Sequence, residues 1–572
     1  QFGPRKAAPE DSLESIVDVL RRATSGSRPA DLVLFPEASL TGYDLEGGVR
    51  ECARSAGWVN RRLQELWAGG GRDRAVDVAL GFYERHDGHL YNSSLYTRLG
   101  GGEPGIRHVH RKVFLPTYGV FRESRFLDAG TGVRAFDTGW GRVACLVCED
   151  LFHSLLPTIA ALQGAELILV SSAAPARGAR PGGDGPDSAA AWDRIARRTA
   201  SEHGVYVAVS QAVGSEGGKA YAGPALLAGP DGTILRRGPL FEEAVLEARL
   251  DREHIFRARR DEPLLADLRE ALPRVLESSP LSAPEGPAGG EPGSGDGTSA
   301  EAPPAPGDAP GGDPEAAGAP DPDDRTPLEI DEELVEEWLV RFLRTEIREQ
   351  RGFDRAVLAL SGGVDSATSA GLASRALGPG NVTALWLPTE TNRPESRRHA
   401  GEVAETFGIE LEEIEISDAV RGYVDGQPEI GERRRGNVAA RMRMIVLYDQ
   451  SAKLDALPVG TGNKAERLLG YFTWHADDAP AVNPLGDLLK CQVRALARHL
   501  GVPEEVVEKP PSAGLVEGQT DEADLGVSYD EADLILHHLI RGESAERLVA
   551  CGFDADAVEV VHRRLESTHW KR

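Results

Sequence analysis

Between residues 273 and 326 the chain changes character. Pro, Gly, Ala, Asp and Glu dominate, as in Pro303-Pro304-Ala305-Pro306-Gly307-Asp308, and from Val275 to Arg325 the sole basic residue is Arg325. Large apolar side chains nearly vanish after Leu281. Such a segment cannot bury enough surface to offset its own ordering entropy, so a disordered linker is expected there. A chain interrupted in this way cannot build one continuous core. The 572 residues therefore divide into a domain over 1–272, a linker over 273–326 and a domain over 327–572, each large enough for a core of its own.

Charge and patterning exclude several classes. A formal net charge of −27 at pH 7 opposes a nucleic-acid or anionic membrane partner. No apolar run approaches the roughly 18 residues of a membrane span, and Gln1-Phe2-Gly3-Pro4 lacks the basic-then-apolar pattern of a signal segment, so a cytoplasmic protein acting on small molecules is expected. The five cysteines, Cys52, Cys145, Cys148, Cys491 and Cys551, are odd in number and thinly spread, which does not suggest a disulfide framework.

In the second domain an amphipathic helix carrying Leu334, Trp338, Leu339, Phe342, Leu343 and Ile347 leads into an apolar strand at 356–360. The strand runs into Ser361-Gly362-Gly363-Val364-Asp365-Ser366, and a helix follows. Gly362 and Gly363 let the backbone turn tightly and approach a ligand, Ser361 and Ser366 add hydroxyl donors, and the free N–H groups of the helix start would face a phosphate. Asp365 offers a hard oxygen where magnesium would sit. An ordinary strand-to-helix turn is the plain alternative. With a further strand at 381–388, the alternation predicts a doubly wound parallel sheet with nucleotide at the carboxyl ends of its strands. The SGGxDS pattern resembles the ATP pyrophosphatase family, which cleaves ATP between its α and β phosphates to adenylate a carboxylate or carbonyl.

The first domain alternates strand-like runs (31–35, 75–82, 142–147, 167–170, 205–209) with helical ones, an α/β layered pattern. Glu37, Lys112 and Cys148 fall at or just beyond strand ends, where such folds display catalytic groups. Taken singly, each has a bland reading: a turn carboxylate, a surface lysine, a small buried thiol. Cys145 and Cys148 also form a CxxC, although residues three apart on a strand face opposite ways, which disfavours a shared metal or a disulfide. With Phe35-Pro36-Glu37, Leu40-Thr41-Gly42-Tyr43 and Cys148-Glu149-Asp150 around them, these segments resemble the carbon–nitrogen hydrolase (nitrilase) superfamily. That resemblance implies an αββα sandwich that hydrolyses amides. Glu37 would be the general base, Lys112 the oxyanion stabiliser and Cys148 the nucleophile that forms a thioester. Glu123 would orient Lys112, against the alternative of a solvated charge, and Tyr118 and Arg180 would contact a glutamine donor. One departure stands out: in Ser171-Ser172-Ala173-Ala174-Pro175, Ala174 occupies a position where glutamine-using members carry serine.

Further motifs narrow the second domain. Gly436-Asn437-Val438-Ala439-Ala440-Arg441, Gly460-Thr461-Gly462-Asn463-Lys464-Ala465-Glu466, Asn483-Pro484-Leu485-Gly486-Asp487-Leu488-Leu489-Lys490 and Lys509-Pro510-Pro511-Ser512 resemble, in order and spacing, the NAD synthetase family. The resemblance implies that Ser361, Gly362, Gly363, Asp365, Ser366, Thr461, Lys490 and Ser512 bind ATP and that Asp365 and Glu466 hold Mg2+. Arg441, and His569 and Lys571 in the basic tail, would contact deamido-NAD. Ala476, Gly514, Trp474 and Ala481 depart from the family pattern. The implied activity is amidation of deamido-NAD to NAD through an acyl-adenylate, with ammonia released from glutamine by the first domain, in a homo-oligomer with coupled sites. Two alternatives stay open: an amide ligase for another carboxylate, and an ammonia-using synthetase whose first domain is a non-catalytic scaffold.

Overall fold

The computed structural model describes residues 1–45, 48–69, 74–117, 121–278, 319–390, 394–427, 429–511 and 521–571. The chain forms two compact units. The first takes Gln1–Ala176, Ser188–Gly217 and the described residues from 221 to 278, and the second takes Arg177–Asp187, Gly218–Ala220 and the described residues from 319 onward. Among the described residues no helix is long and apolar enough to cross a membrane.

In the first unit, β1 (Leu32–Leu34), β2 (Val76–His86), β3 (His89–Leu99) and β4 (Gly105–Arg111) form a sheet in that order. β5 (Ala135–Asp137), β6 (Arg142–Val147), β7 (Leu167–Ser172) and β8 (Tyr206–Gln211) belong to a second sheet. β9 (Val213–Glu216) and β10 (Lys219–Ala222) come next in the chain, and β11 (Leu226–Ala228) and β12 (Ile234–Arg237) complete the second sheet in the order β12-β11-β8-β7-β6-β5. Ala79 and Tyr96 of one sheet pack against Val143, Cys145 and Leu169 of the other. Helices Pro9–Ala23 and Ala56–Ala68 cover the outer face of the first sheet, where Leu13, Ile16 and Leu63 meet Val78 and Leu80. On the outer face of the second, Leu156, Trp192 and Ala196 from two helices meet Leu146 and Val170. This is the expected αββα sandwich, held by apolar faces in which each fully buried leucine contributes roughly 2 kcal/mol.

One expectation changes here. The helix Leu264–Ser278 carries regular structure past 273, the expected first residue of the linker, because Leu272, Val275 and Leu276 prolong a helical pattern; the segment 279–318 lies outside the described residues. β6 covers the expected 142–147, and Cys148 lies just beyond it, opening a 3₁₀ turn, Cys148–Leu151.

In the second unit, β13 (Arg355–Ala359), β14 (Val382–Trp386), β15 (Glu410–Glu413) and β16 (Ala456–Pro458) form a fully parallel sheet in the order β15-β14-β13-β16. Leu343, Leu358, Leu372 and Leu496 pack on one face. Val357, Leu385 and Leu447 pack on the other. The chain builds outward from β13 through β14 to β15 and returns to place β16 on the opposite side of β13. The loop after β13 therefore lies where the strand order reverses, the position at which doubly wound sheets bind ligands.

Candidate active sites

In the first unit, Glu37 follows β1, Lys112 follows β4 and Cys148 follows β6. All three are buried. Lys112 Nζ donates to Glu37 Oε1 at 2.9 Å and to Glu123 Oε1 at 2.7 Å. Glu37 Oε1 also accepts from Asn92 Nδ2 at 2.7 Å, and its Oε2 accepts the backbone N–H of Ala173 at 2.8 Å. The Tyr43 hydroxyl donates to Glu123. The carboxylate expected to orient Lys112 is thus buried against it and is no solvated charge.

The Cys148 Sγ accepts from Ser172 Oγ at 3.5 Å. Its φ of +45° puts a non-glycine residue in the left-handed region, a strained turn that lifts the thiol off the sheet edge. Asp150 ties this turn to the lysine. Its Oδ2 accepts the Val147 N–H at 3.1 Å and lies 2.8 Å from His110 Nε2, while its Oδ1 accepts the N–H groups of Val113 at 3.0 Å and Phe114 at 3.1 Å.

Electrostatics follow from burial. Desolvation, reinforced by Glu37 and opposed by Lys112, holds the Cys148 thiol well above its usual range, so a base must take its proton as it attacks. Burial opposes the charge of Lys112, but Glu123 and Glu37 outweigh that and hold the ammonium on. Glu123 is pushed up to about 7 by burial, with Lys112 pulling it down and Glu37 adding to the rise. Cys145 is buried between the sheets and pushed up to about 12 by desolvation, which a hydrogen bond with Ser94 only partly offsets, the profile of an inert core thiol. A base, an ammonium and a thiol in this arrangement can carry out acyl transfer through a thioester.

In the second unit the Ser361 and Ser366 hydroxyls lie 3.0 Å apart, and Ser366 Oγ donates to the Gly363 carbonyl at 3.0 Å. Gly362 has φ +75°, and a Cβ there would lie 2.3 Å from the Ser396 carbonyl oxygen, so glycine is required. Asp365, in the first turn of helix Val364–Leu377, accepts from Lys490 Nζ and, at 3.1 Å, from Asn463 Nδ2. Asn463 caps the helix Lys464–Leu469, accepting from the Glu466 N–H at 2.9 Å while Glu466 Oε2 accepts the Asn463 N–H at 3.1 Å. This capping box carries Glu466 to the same place. Burial, with Asp365 adding to it and Lys490 opposing, pushes Glu466 up to about 8. Asp365, Glu466 and Lys490 are therefore one electrostatic cluster at the mouth of the loop.

The remaining expected residues are more scattered. Thr461 is half-buried. Arg441 is exposed and donates to the Trp474 carbonyl at 3.0 Å. Lys571 Nζ donates to the carbonyls of Gly470 at 2.8 Å and Phe472 at 3.2 Å, and His569 Nδ1 lies 2.7 Å from the Glu566 carbonyl. Arg180 is exposed, pairs with Asp187 at 2.9 Å and belongs to the second unit rather than to the one holding the triad. Tyr118, Ser512 and Gly514 lie outside the described residues. Asn92, Tyr43, His110 and Asp150 complete this hydrogen-bond network without having been singled out in the sequence, where only Leu40-Thr41-Gly42-Tyr43 and the Glu149-Asp150 pair hinted at two of them.

The fold and the two clusters define an α/β enzyme that joins an αββα sandwich bearing a buried Glu–Lys–Cys cluster to a doubly wound unit bearing a carboxylate–lysine cluster at a strand-to-helix loop. Residues 1–260 match the family model for carbon-nitrogen hydrolases, and residues 335–572 match that for NAD synthases. The NH(3)-dependent NAD(+) synthetase of Trichlorobacter lovleyi is 47% identical over 247 residues, 43% of this chain and 90% of that protein. The chain belongs to the NAD synthase family. A glutamine-dependent NAD+ synthetase structure from Acinetobacter baumannii matches in fold with TM-score 0.67 at 22% identity, covering 100% of this chain and 93% of that one. One from Cytophaga hutchinsonii matches with TM-score 0.65 at 17% identity, covering 100% and 92%.

Proposed function

We propose that this chain converts deamido-NAD, ATP and glutamine into NAD, AMP, pyrophosphate and glutamate. The observation that carries the reading is a buried Glu37–Lys112–Glu123 network beside the strained Cys148 in the same chain as a loop-to-helix nucleotide site bearing Asp365, Glu466 and Lys490.

In the amidase unit, Glu37 takes the Cys148 proton as Sγ attacks the amide carbon, and Lys112 stabilises the oxyanion. The proton passes to the nitrogen, the carbon–nitrogen bond breaks and ammonia leaves. Glu37 then deprotonates a water that hydrolyses the thioester, releasing glutamate. In the synthetase unit, the deamido-NAD carboxylate attacks the α-phosphorus of ATP, and pyrophosphate leaves. Ammonia attacks the acyl carbon of the adenylate, and AMP leaves. Lys490, the Ser361 and Ser366 hydroxyls and the N–H groups of the helix start face the charge that develops on pyrophosphate. The residues present suit Mg2+: Asp365 and Glu466 are hard oxygen donors whose mutual repulsion a divalent cation relieves. Bound there, it would neutralise charge on the phosphates.

The test supplies the purified chain with ATP, Mg2+, deamido-NAD and either glutamine or ammonium, and identifies products by mass spectrometry. Cys148→Ala is expected to lower glutamine-supported synthesis by about a thousandfold or more and leave ammonium-supported synthesis within about twofold. Asp365→Ala is expected to abolish both. Equal loss with both donors in Cys148→Ala would sink this division of labour.

A further inference from the structure

Near the triad, Asn92 Oδ1, Glu123 Oε2, Gln211 Nε2 and the Tyr221 hydroxyl are buried without a hydrogen-bond partner among the described residues, and of these Gln211 Nε2 and the Tyr221 hydroxyl can donate. Gln211 and Tyr221 are 0% and 1% exposed. Buried polar atoms are nearly always satisfied, and one left open beside a reactive centre is a place where a ligand can supply the missing partner. Gln211 ends β8, paired directly with Ser172 of the parallel neighbour β7. Paired residues on adjacent strands share a face of the sheet, so Gln211 projects on the same side as Ser172, whose hydroxyl meets Cys148 Sγ.

The orientation of the Gln211 amide is fixed by chemistry. Its Oε1 accepts the Ala174 N–H at 3.4 Å, and a backbone N–H faces only an acceptor, so the amide NH2 is the end left open. Tyr221 packs with Ala173, Ala212 and Tyr43, and Tyr43 in turn bonds Glu123.

Resting on the amidase reading above, we propose that Gln211 and Tyr221 determine donor specificity. Gln211 Nε2 and the Tyr221 hydroxyl donate to an oxygen of the donor outside its scissile amide, which selects amides that carry a second acceptor oxygen, such as the carboxylate of an α-amino-acid amide, over plain aliphatic amides. Both groups are neutral donors. They can satisfy a carbonyl or carboxylate oxygen and have nothing to offer a methyl group.

The test uses the full chain and measures ammonia release from glutamine and from butyramide, which has the scissile amide but no second oxygen. The wild type is expected to prefer glutamine strongly. Gln211→Met should lower kcat/KM for glutamine by about thirtyfold, chiefly through KM, with butyramide hydrolysis changed less than about threefold. Tyr221→Phe, which removes a single oxygen, should lower the glutamine value by about tenfold in the same pattern and covers the case in which Gln211→Met does not fold. Butyramide turnover in each variant reports that the triad is intact. A parallel loss on both amides, or no loss on glutamine, overturns the assignment. A wild type inert toward both amides fails the amidase reading itself, a distinct result.

Discussion

Asp365 and Glu466 are two carboxylates sharing one buried ammonium, Lys490. The Glu466 pKa is raised from its ordinary 4.5 to about 8, so the stability this group contributes is fully present below about 4.5 and is lost as pH rises through about 8. A divalent cation bound to the pair competes with that proton. The rise in Tm on adding Mg2+ should therefore grow between about pH 6 and pH 9, because less proton has to be displaced. Thermal melts with Mg2+ and with EDTA across that range check it. A gain that does not vary with pH, or one kept in full by Glu466→Gln, would contradict the assignment. At this scale the sequence singled out Glu37, Lys112 and Cys148, and Asp365 and Glu466, as two sets, and the structure brings the members of each set together. Asn92 and His110 were not readable, since an asparagine or a histidine there has no distinguishing neighbour in sequence and gains its contacts only from what the fold brings beside it.

Among the elements, β3 explains why strand prediction failed where it mattered. His89–Leu99 carries Asn92, Ser93 and Ser94 fully buried, which breaks the apolar alternation that marks a strand. Asn92 is buried because it bonds Glu37, and Ser93 because it bonds Glu84 at 2.8 Å. Function and internal hydrogen bonding thus override the pattern. The neighbouring β2 shows the converse constraint. A Cβ at Gly81 would lie 2.4 Å from Glu37 Cα and 2.6 Å from the Pro36 carbonyl oxygen, so the backbone carrying Glu37 rests directly on this glycine. Gly81→Ala is expected to destabilise the first unit by about 2 kcal/mol or more. It should also lower glutamine-supported synthesis at least tenfold by displacing Glu37, a shift of the kind that costs about a hundredfold when it reaches 1 Å. Calorimetry and the donor comparison check both effects. Ammonium-supported synthesis falling in step would show that the damage is not local to the base.

For the whole molecule, chain order and spatial grouping differ. Residues 177–187 come early in the chain but cluster with the second unit, where the Ala179 carbonyl accepts the Asp331 N–H at 2.8 Å just before helix Glu332–Arg344. By contrast, the composition of 282–318 supplies little apolar surface for any core. Deleting about half of that stretch is expected to leave Tm within about 2 °C and both ammonium-supported and glutamine-supported synthesis nearly unchanged, because closure entropy varies only slowly with loop length. A deletion series followed by melting and by the ratio of glutamine consumed to NAD formed tests this. A sharp change after losing only a few residues would assign the stretch a structural role.

Local information in the chain was enough to determine two α/β cores on either side of an acidic, Pro- and Gly-rich stretch, a strand-loop-helix turn built on Gly362 and the strand-end positions of Glu37, Lys112 and Cys148, since apolar periodicity, glycine tolerance and side-chain chemistry are properties of neighbouring residues. Tertiary structure alone decided the rest: the left-handed turn that frees Cys148 from its strand, the Asp150 bonds that register that turn to Lys112, the polar strand β3 beneath the base, the assignment of Arg180 to the second unit, and the open donors of Gln211 and Tyr221. Each of these depends on groups tens of residues apart whose separation is set only when the sheets pack, and no local pattern encodes such a distance.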